Sequence, residues 1–154
     1  RSALESLRES IYRARHRQQT LTECLTAVIN EARLRLTGGG LELETNVPEL
    51  SGCNIPPDFA YNLTRIIREG ISNILQHARA STAYFTVERD LKELRIILGD
   101  DGIADTSGFF ASGGLDNIRF RAERIGARVA WVPGNPGCEL ILSLPLEQNT
   151  GSKP

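Results

Sequence analysis

The segment from Pro57 to Ala78 limits the fold more than any other part of this chain. Phe59, Leu63, Ile66, Ile67, Gly70, Ile71, Ile74 and Leu75 recur at spacings of three and four. That period predicts a helix over 57–78 with one broad buried face. Pro57 suits a first helical turn, and Asp58 complements the dipole there. Glu69, Asn73 and His77 recur every four residues, a spacing that lines them up along one side of a helix.

The remaining pattern supplies what such a helix packs on. Residues 2–15 read as a helix with Leu4, Leu7, Ile11 and Ala14 on one face and Arg13, Arg15, His16 and Arg17 on the other. Thr20 and Glu23 have the form of a capping box. The helix they open carries Leu21, Leu25, Val28, Ile29, Ala32 and Leu36 as its stripe, and Gly38-Gly39-Gly40 stops it. Alternation at Leu41, Leu43, Thr45 and Val47 predicts a strand, as do the runs 82–89 and 93–98 with a turn at 90–92. A loop rich in Gly, Ser and Asp spans 99–114, and 115–126 reads as a helix ended by glycine. Residues 127–132 and 138–144 form a last strand pair. The expected fold is α/β, a two-layer sandwich of a mostly antiparallel sheet packed on helices.

Composition excludes several classes. A net charge of −1 advertises no nucleic-acid partner. No apolar run approaches the roughly 20 residues of a membrane helix, so no direct membrane contact is expected. Cys24, Cys53 and Cys138 are scattered and form no CxxC pair, which favours a reducing, cytoplasmic setting. The chain opens on Arg1 and has no Met, so it is expected to be a piece of a longer protein, one with room for a membrane anchor elsewhere.

Three clusters carry chemistry. In the first, Glu69, Asn73 and His77 set a carboxylate, an amide and an imidazole in a row, with Gln76 beside them. An amide oxygen together with nucleotide phosphates is a sensible Mg²⁺ site, and a carboxylate one turn earlier can hold a metal-bound water or accept a proton. The same segment reads equally as an amphipathic helix with a polar solvent face. In the second cluster, Asp100-Asp101-Gly102 follows an apolar strand. A carboxylate there can accept from an exocyclic amine, and Gly102 lets the backbone approach a planar ring. Taken alone it also reads as a surface turn. In the third, Ser112-Gly113-Gly114-Leu115 opens a helix, where backbone N–H groups can cradle phosphates, with Arg119 and Arg121 adding positive charge. Taken alone it also reads as a glycine hinge.

In this order the clusters resemble the N, G1 and G2 boxes of the histidine-kinase-type ATPase domain, the Bergerat fold, in its nitrate-sensor and DesK-like branch. Glu69 to Ala78 resembles the pattern Glu-x-x-x-Asn-x-x-x-His-Ala, and Asp100 to Ala104 resembles Asp-Asp-Gly-x-Gly except at Ala104. Ser112 to Ala122 resembles the lid and its helix except at Ser112, and Gly137 to Pro145 resembles the closing strand, with Cys138 where a Thr is usual.

The resemblance implies roles residue by residue. Asn73 would bind Mg²⁺ and Glu69 would assist at the phosphate end, with Gln76 and His77 nearby. Asp100 would receive the adenine amine, with Gly102 beside the ring, Ala104 in the loop after it and Cys138 framing the pocket. Gly113, Gly114 and Leu115 would close over the phosphates of ATP. The implied function is transfer of the ATP γ-phosphoryl group to a histidine on the dimerisation and phosphoacceptor helices of the parent kinase, itself a homodimer serving a response regulator. His77 belongs to the nucleotide helix, and His16 lacks the His-Asp pair of an acceptor, so the acceptor is expected outside this chain. Residues 1–19 would be a helical lead-in at the end of the dimerisation hairpin, 20–146 the ATPase-like domain, and 147–154 a disordered tail. The alternative is a non-catalytic interaction module that keeps the fold with weak or no ATP binding, motivated by Ala104, Ser112 and Cys138.

Overall fold

The computed structural model describes residues 2–15, 18–103, 114–134 and 136–146. Helix α1 (Ala3–Arg15) leads into the short strand β1 (Gln19–Thr20) and helix α2 (Leu21–Gly38). Strand β2 (Glu42–Asn46), the short strand β3 (Asn54–Ile55) and helix α3 (Pro57–Asn73) follow, with α3 running on into a π-turn (Ile74–Ala78). The hairpin β4 (Thr82–Arg89) and β5 (Glu93–Asp100), helix α4 (Gly114–Arg124), and the pair β6 (Arg128–Pro133) and β7 (Cys138–Pro145) complete the fold.

The five long strands form one sheet in the order β2-β4-β5-β7-β6, parallel only between β2 and β4. Alternation decides its faces. Ala83, Phe85 and Val87 on β4, Leu94, Ile96 and Leu98 on β5, and Leu140, Leu142 and Leu144 on β7 are buried beneath the helices. Leu63, Ile66, Ile67 and Ile71 of α3 join them in a single core. The two-layer sandwich expected from the sequence is present. Gly70 lets α3 lie close on the sheet, since a Cβ there would come within 2.6 Å of Leu98 Cδ2.

Local signals act as the chain pattern requires. Thr20 Oγ1 accepts from the Glu23 N–H at 3.1 Å, capping α2. Asp90 Oδ1 accepts from the N–H groups of Lys92 and Glu93 at 2.7 and 2.8 Å, building the β4–β5 turn. Strand β1 pairs with β3, Gln19 opposite Ile55, a two-residue ribbon too short to leave an alternation in the sequence.

Helix α1 reverses the expectation that an apolar stripe marks the inward face. Leu4, Leu7 and Ile11 are 58, 56 and 44% exposed, whereas Glu9 is 3% exposed. The helix docks by its polar side. Arg13 and Arg124 both donate to Glu9 Oε1, at 3.0 and 3.1 Å, and Tyr12 meets Tyr61 edge to face with ring centres 5.3 Å apart. Arg121 ion-pairs with Glu5, donates to Asn62 Oδ1 at 3.2 Å and lies over the Tyr61 ring. Arg121, expected to add charge near phosphates, is therefore a buried strut joining α1, α3 and α4. His16 and the tail from 147 lie outside the described residues.

Candidate functional site

The β5–β7 register builds the site. Gly99 pairs with Glu139, so Asp100, the last residue of β5, sits beside Cys138, the first of β7. The end of α3 passes over the same point. Asn73, Asp100 and Cys138, far apart in the chain, line one cleft, floored by Leu98 and Leu140 and flanked by Gly70 and Ile74. Trp131, which the motif pattern does not single out, lines it too.

Asp100 is held tightly. It is 3% exposed, and its Oδ1 accepts from the Gly102 N–H at 2.9 Å. Burial pushes its carboxyl above the ordinary carboxylate range; the Gly102 N–H opposes that shift, and the Asp101 charge adds to it. Asp101 turns the other way. Its Oδ1 accepts from the N–H groups of Ser81 and Thr82 at 2.8 and 2.9 Å, which holds its carboxyl below the usual range and closes the loop over β4. Two adjacent carboxylates thus take different tasks, one facing the cleft and one bracing it.

Glycine is required at two points around Asp100. A Cβ on Gly102 would sit 1.9 Å from the carbonyl oxygen of Ala78. Gly137 has φ +90°, and a Cβ there would lie 1.8 Å from the carbonyl oxygen of Asp100.

The remaining expected residues divide. Asn73 is 6% exposed, and its side chain makes no hydrogen bond among the described residues. An amide lining the cleft suits a hard cation or a phosphate. Among the described residues no cluster of three or more His, Cys, Asp or Glu stands ready for a metal, so Mg²⁺ here would rely on Asn73, phosphates and water. Glu69 opens instead onto a separate polar cavity of about 240 Å³ between α1, α3 and α4, lined also by Arg8, Arg65 and Asn117. Gln76, exposed, and His77, half-buried, lie on the π-turn, whose wider winding ends the four-residue row expected from Glu69 through His77. Gly114 and Leu115 are buried at the start of α4, with Leu115 packed on Cys138 and Trp131. Burial raises the Cys138 thiol above its ordinary range. Ala104, Ser112 and Gly113 lie outside the described residues.

No family model matches the chain. Over 149 residues it is 29% identical to the sensor histidine kinase YxjM of Bacillus subtilis, covering 95% of this chain and 36% of that protein. The Acinetobacter baumannii histidine kinase AdeS superposes with a TM-score of 0.69 at 13% identity, covering 94% of this chain and 77% of that one. The chain has the histidine kinase ATPase-domain fold. Full-length ShkA in complex with AMPPNP shares it, with a TM-score of 0.66 at 16% identity over 88% of this chain and 34% of ShkA. The chain spans about a third of the length of the curated relatives it matches. Within this fold the cleft between α3, β5 and β7 is where the resemblance implies that a nucleotide binds, and Asn73 and Asp100 are the polar groups brought together there.

Proposed function

We propose that this chain is the ATP-binding catalytic part of a two-component sensor histidine kinase, delivering the ATP γ-phosphoryl group to a histidine on a dimerisation segment outside it. One observation carries the reading: Asn73 and Asp100 reach the same cleft from different elements, a buried amide beside a buried carboxylate. The bound AMPPNP in ShkA supports the nucleotide part by analogy of fold.

Asp100 accepts a hydrogen bond from the adenine amine, while the Gly102 N–H holds its Oδ1 in place. Leu98, Ile74 and Leu140 bury the ring faces. Asn73 orients the phosphate end through its amide oxygen, with Gln76 and His77 on the following turn. Glu69 lies one helical turn before Asn73 but lines the neighbouring cavity, so its proposed part at that end, ordering water or accepting a proton, is played through water. Gly113, Gly114 and Leu115 contribute backbone N–H groups where the dipole of α4 favours phosphate. Mg²⁺, bound at Asn73, would neutralise phosphate charge during a transfer that is mostly positioning and charge stabilisation.

The exposed Leu4, Leu7 and Ile11 support α1 as the end of the dimerisation hairpin, residues 1–19 forming the lead-in to a parent homodimer that serves a response regulator. No described helix is long and apolar enough to cross a membrane, and the proposed site of action is cytoplasmic.

Calorimetric titration with ADP, with and without Mg²⁺, tests the reading. Saturable binding is expected, weakened about tenfold or more by Asp100→Asn, with the Mg²⁺ enhancement lost in Asn73→Ala. Folded protein that takes up no ADP at millimolar concentration would overturn it.

A further inference from the structure

Trp131 is the one residue of the cleft that neither the motifs nor the roles above employ. It is the only tryptophan of the chain. It stands on β6, the edge strand of the sheet, opposite Leu140 of β7. Every other described residue lining the cleft is buried, whereas Trp131 is half-buried. Its ring packs on Cys138 at the start of β7, on Leu115 in the first turn of α4 and against the edge of the main core. The Arg119 guanidinium covers it at 5.4 Å from the ring centre.

The free space in the cleft is about 20 Å³, close to what one water occupies. A purine ring is far larger, so a base seated fully between these walls requires part of the wall to give way. Asn73 and Asp100 are fixed by α3 and by the centre of the sheet, and Leu98 and Leu140 belong to the core. Trp131 has no strand on its outer side. Among the described residues its cover, Arg119, has one ion-pair tether, to Asp116 at 3.9 Å, and with both side chains more than half exposed that tether is weak.

We infer that Trp131 is the movable wall of the cleft, which swings to admit a purine base and then packs its indole against it. It is a specificity-determining residue: a flat, apolar ring beside the base favours a planar aromatic ligand over a bare phosphate compound. Through Leu115 the same motion reaches the first turn of α4, so occupation of the cleft is felt at the start of that helix. The inference rests on the nucleotide-binding reading.

The experiment is a titration of the intact chain with ADP and Mg²⁺, followed in parallel by heat and by the emission of its single tryptophan. A saturable change in emission is expected at the calorimetric midpoint, with reduced quenching by acrylamide. Binding seen as heat with no change in emission or quenching would overturn the inference and leave nucleotide binding standing. Absence of both signals in folded protein would overturn the nucleotide reading and this inference with it. Trp131→Leu is expected to weaken ADP about tenfold, and Trp131→Phe to restore most of that loss, as base–aromatic contacts do elsewhere. A folded Trp131→Leu variant that binds ADP as tightly as the parent would overturn the inference. Should that variant not fold, the emission of the unsubstituted protein decides the question.

Discussion

The N–H of Ile103 donates to the carbonyl oxygen of Ala78 across 2.8 Å, joining the loop after Asp100 to the end of the π-turn that follows Asn73. Two elements that are remote in sequence are thereby locked in register at the site. Gly102 makes the contact possible, since any larger residue would drive its Cβ into that same carbonyl. Gly102→Ala is therefore expected to push the two segments apart, destabilising the fold by about 1–3 kcal/mol and weakening ADP binding more than tenfold. Urea unfolding and calorimetry measure the two effects. A variant with unchanged midpoint and affinity would show that the contact is dispensable.

Asp100 predicts a trade between stability and binding. Burial raises its carboxyl pKa in the folded state above the unfolded value of about 3.9. Between those two values the folded chain holds the proton more often than the unfolded chain does, so stability falls as pH rises through that window. Above the folded value the cost is complete. Asp100→Asn, which still offers an oxygen to the Gly102 N–H, is expected to raise the thermal midpoint at pH 7, with the gain vanishing below about pH 3.9. Binding runs oppositely. On the proposed reading the adenine amine needs the ionised acceptor, so ADP affinity falls as pH drops through the raised value and proton release accompanies binding there. Melting curves from pH 3 to 8 and titrations from pH 4 to 8 check both signs.

The Arg121 network predicts a large local cost. Its side chain is 11% exposed and meets Glu5, Asn62 and the Tyr61 ring at once. Arg121→Met removes the charge and leaves Glu5 and Asn62 without their donor. The expected loss is on the order of 3 kcal/mol by chemical denaturation. Arg13 and Asp58 are both about half exposed in their ion pair, so Asp58→Asn should cost less than about 1 kcal/mol, and less still in high salt. Equal costs for the two substitutions would refute the distinction.

How far the sequence reaches can be judged from these residues. The broad face of α3, the Thr20 cap and the alternating strands β4, β5 and β7 are periodic, and periodicity survives in a linear text. Asn73 and Asp100 stand out as motif residues in their boxes, whereas Cys138 stands out as a departure from the closing-strand pattern. Trp131 does neither, since its role comes from lying across from Leu140 on an edge strand, a matter of sheet order. Arg121 shows a related limit: near a glycine turn it reads as positive charge close to the cluster, and only the fold reveals that a distant Glu5 is its partner. The π-turn left no pattern at all, because it alters winding without altering composition.

The outward stripe of α1 supports the last prediction. A helix that hides Glu9 and displays Leu4, Leu7 and Ile11 leaves those side chains with little to lose when the chain is studied by itself. Leu7→Ser is expected to shift the unfolding free energy of this chain by less than about 0.5 kcal/mol. Leu63→Ala, at a fully buried position of α3, should cost about 2–5 kcal/mol. In the longer parent protein, where the proposal places α1 at the end of the dimerisation hairpin, Leu7→Ser should instead weaken the dimer, read by sedimentation at decreasing concentration. Loss of stability in the isolated chain on Leu7→Ser would mean that the stripe is covered from within, and the lead-in reading of residues 1–19 would fall.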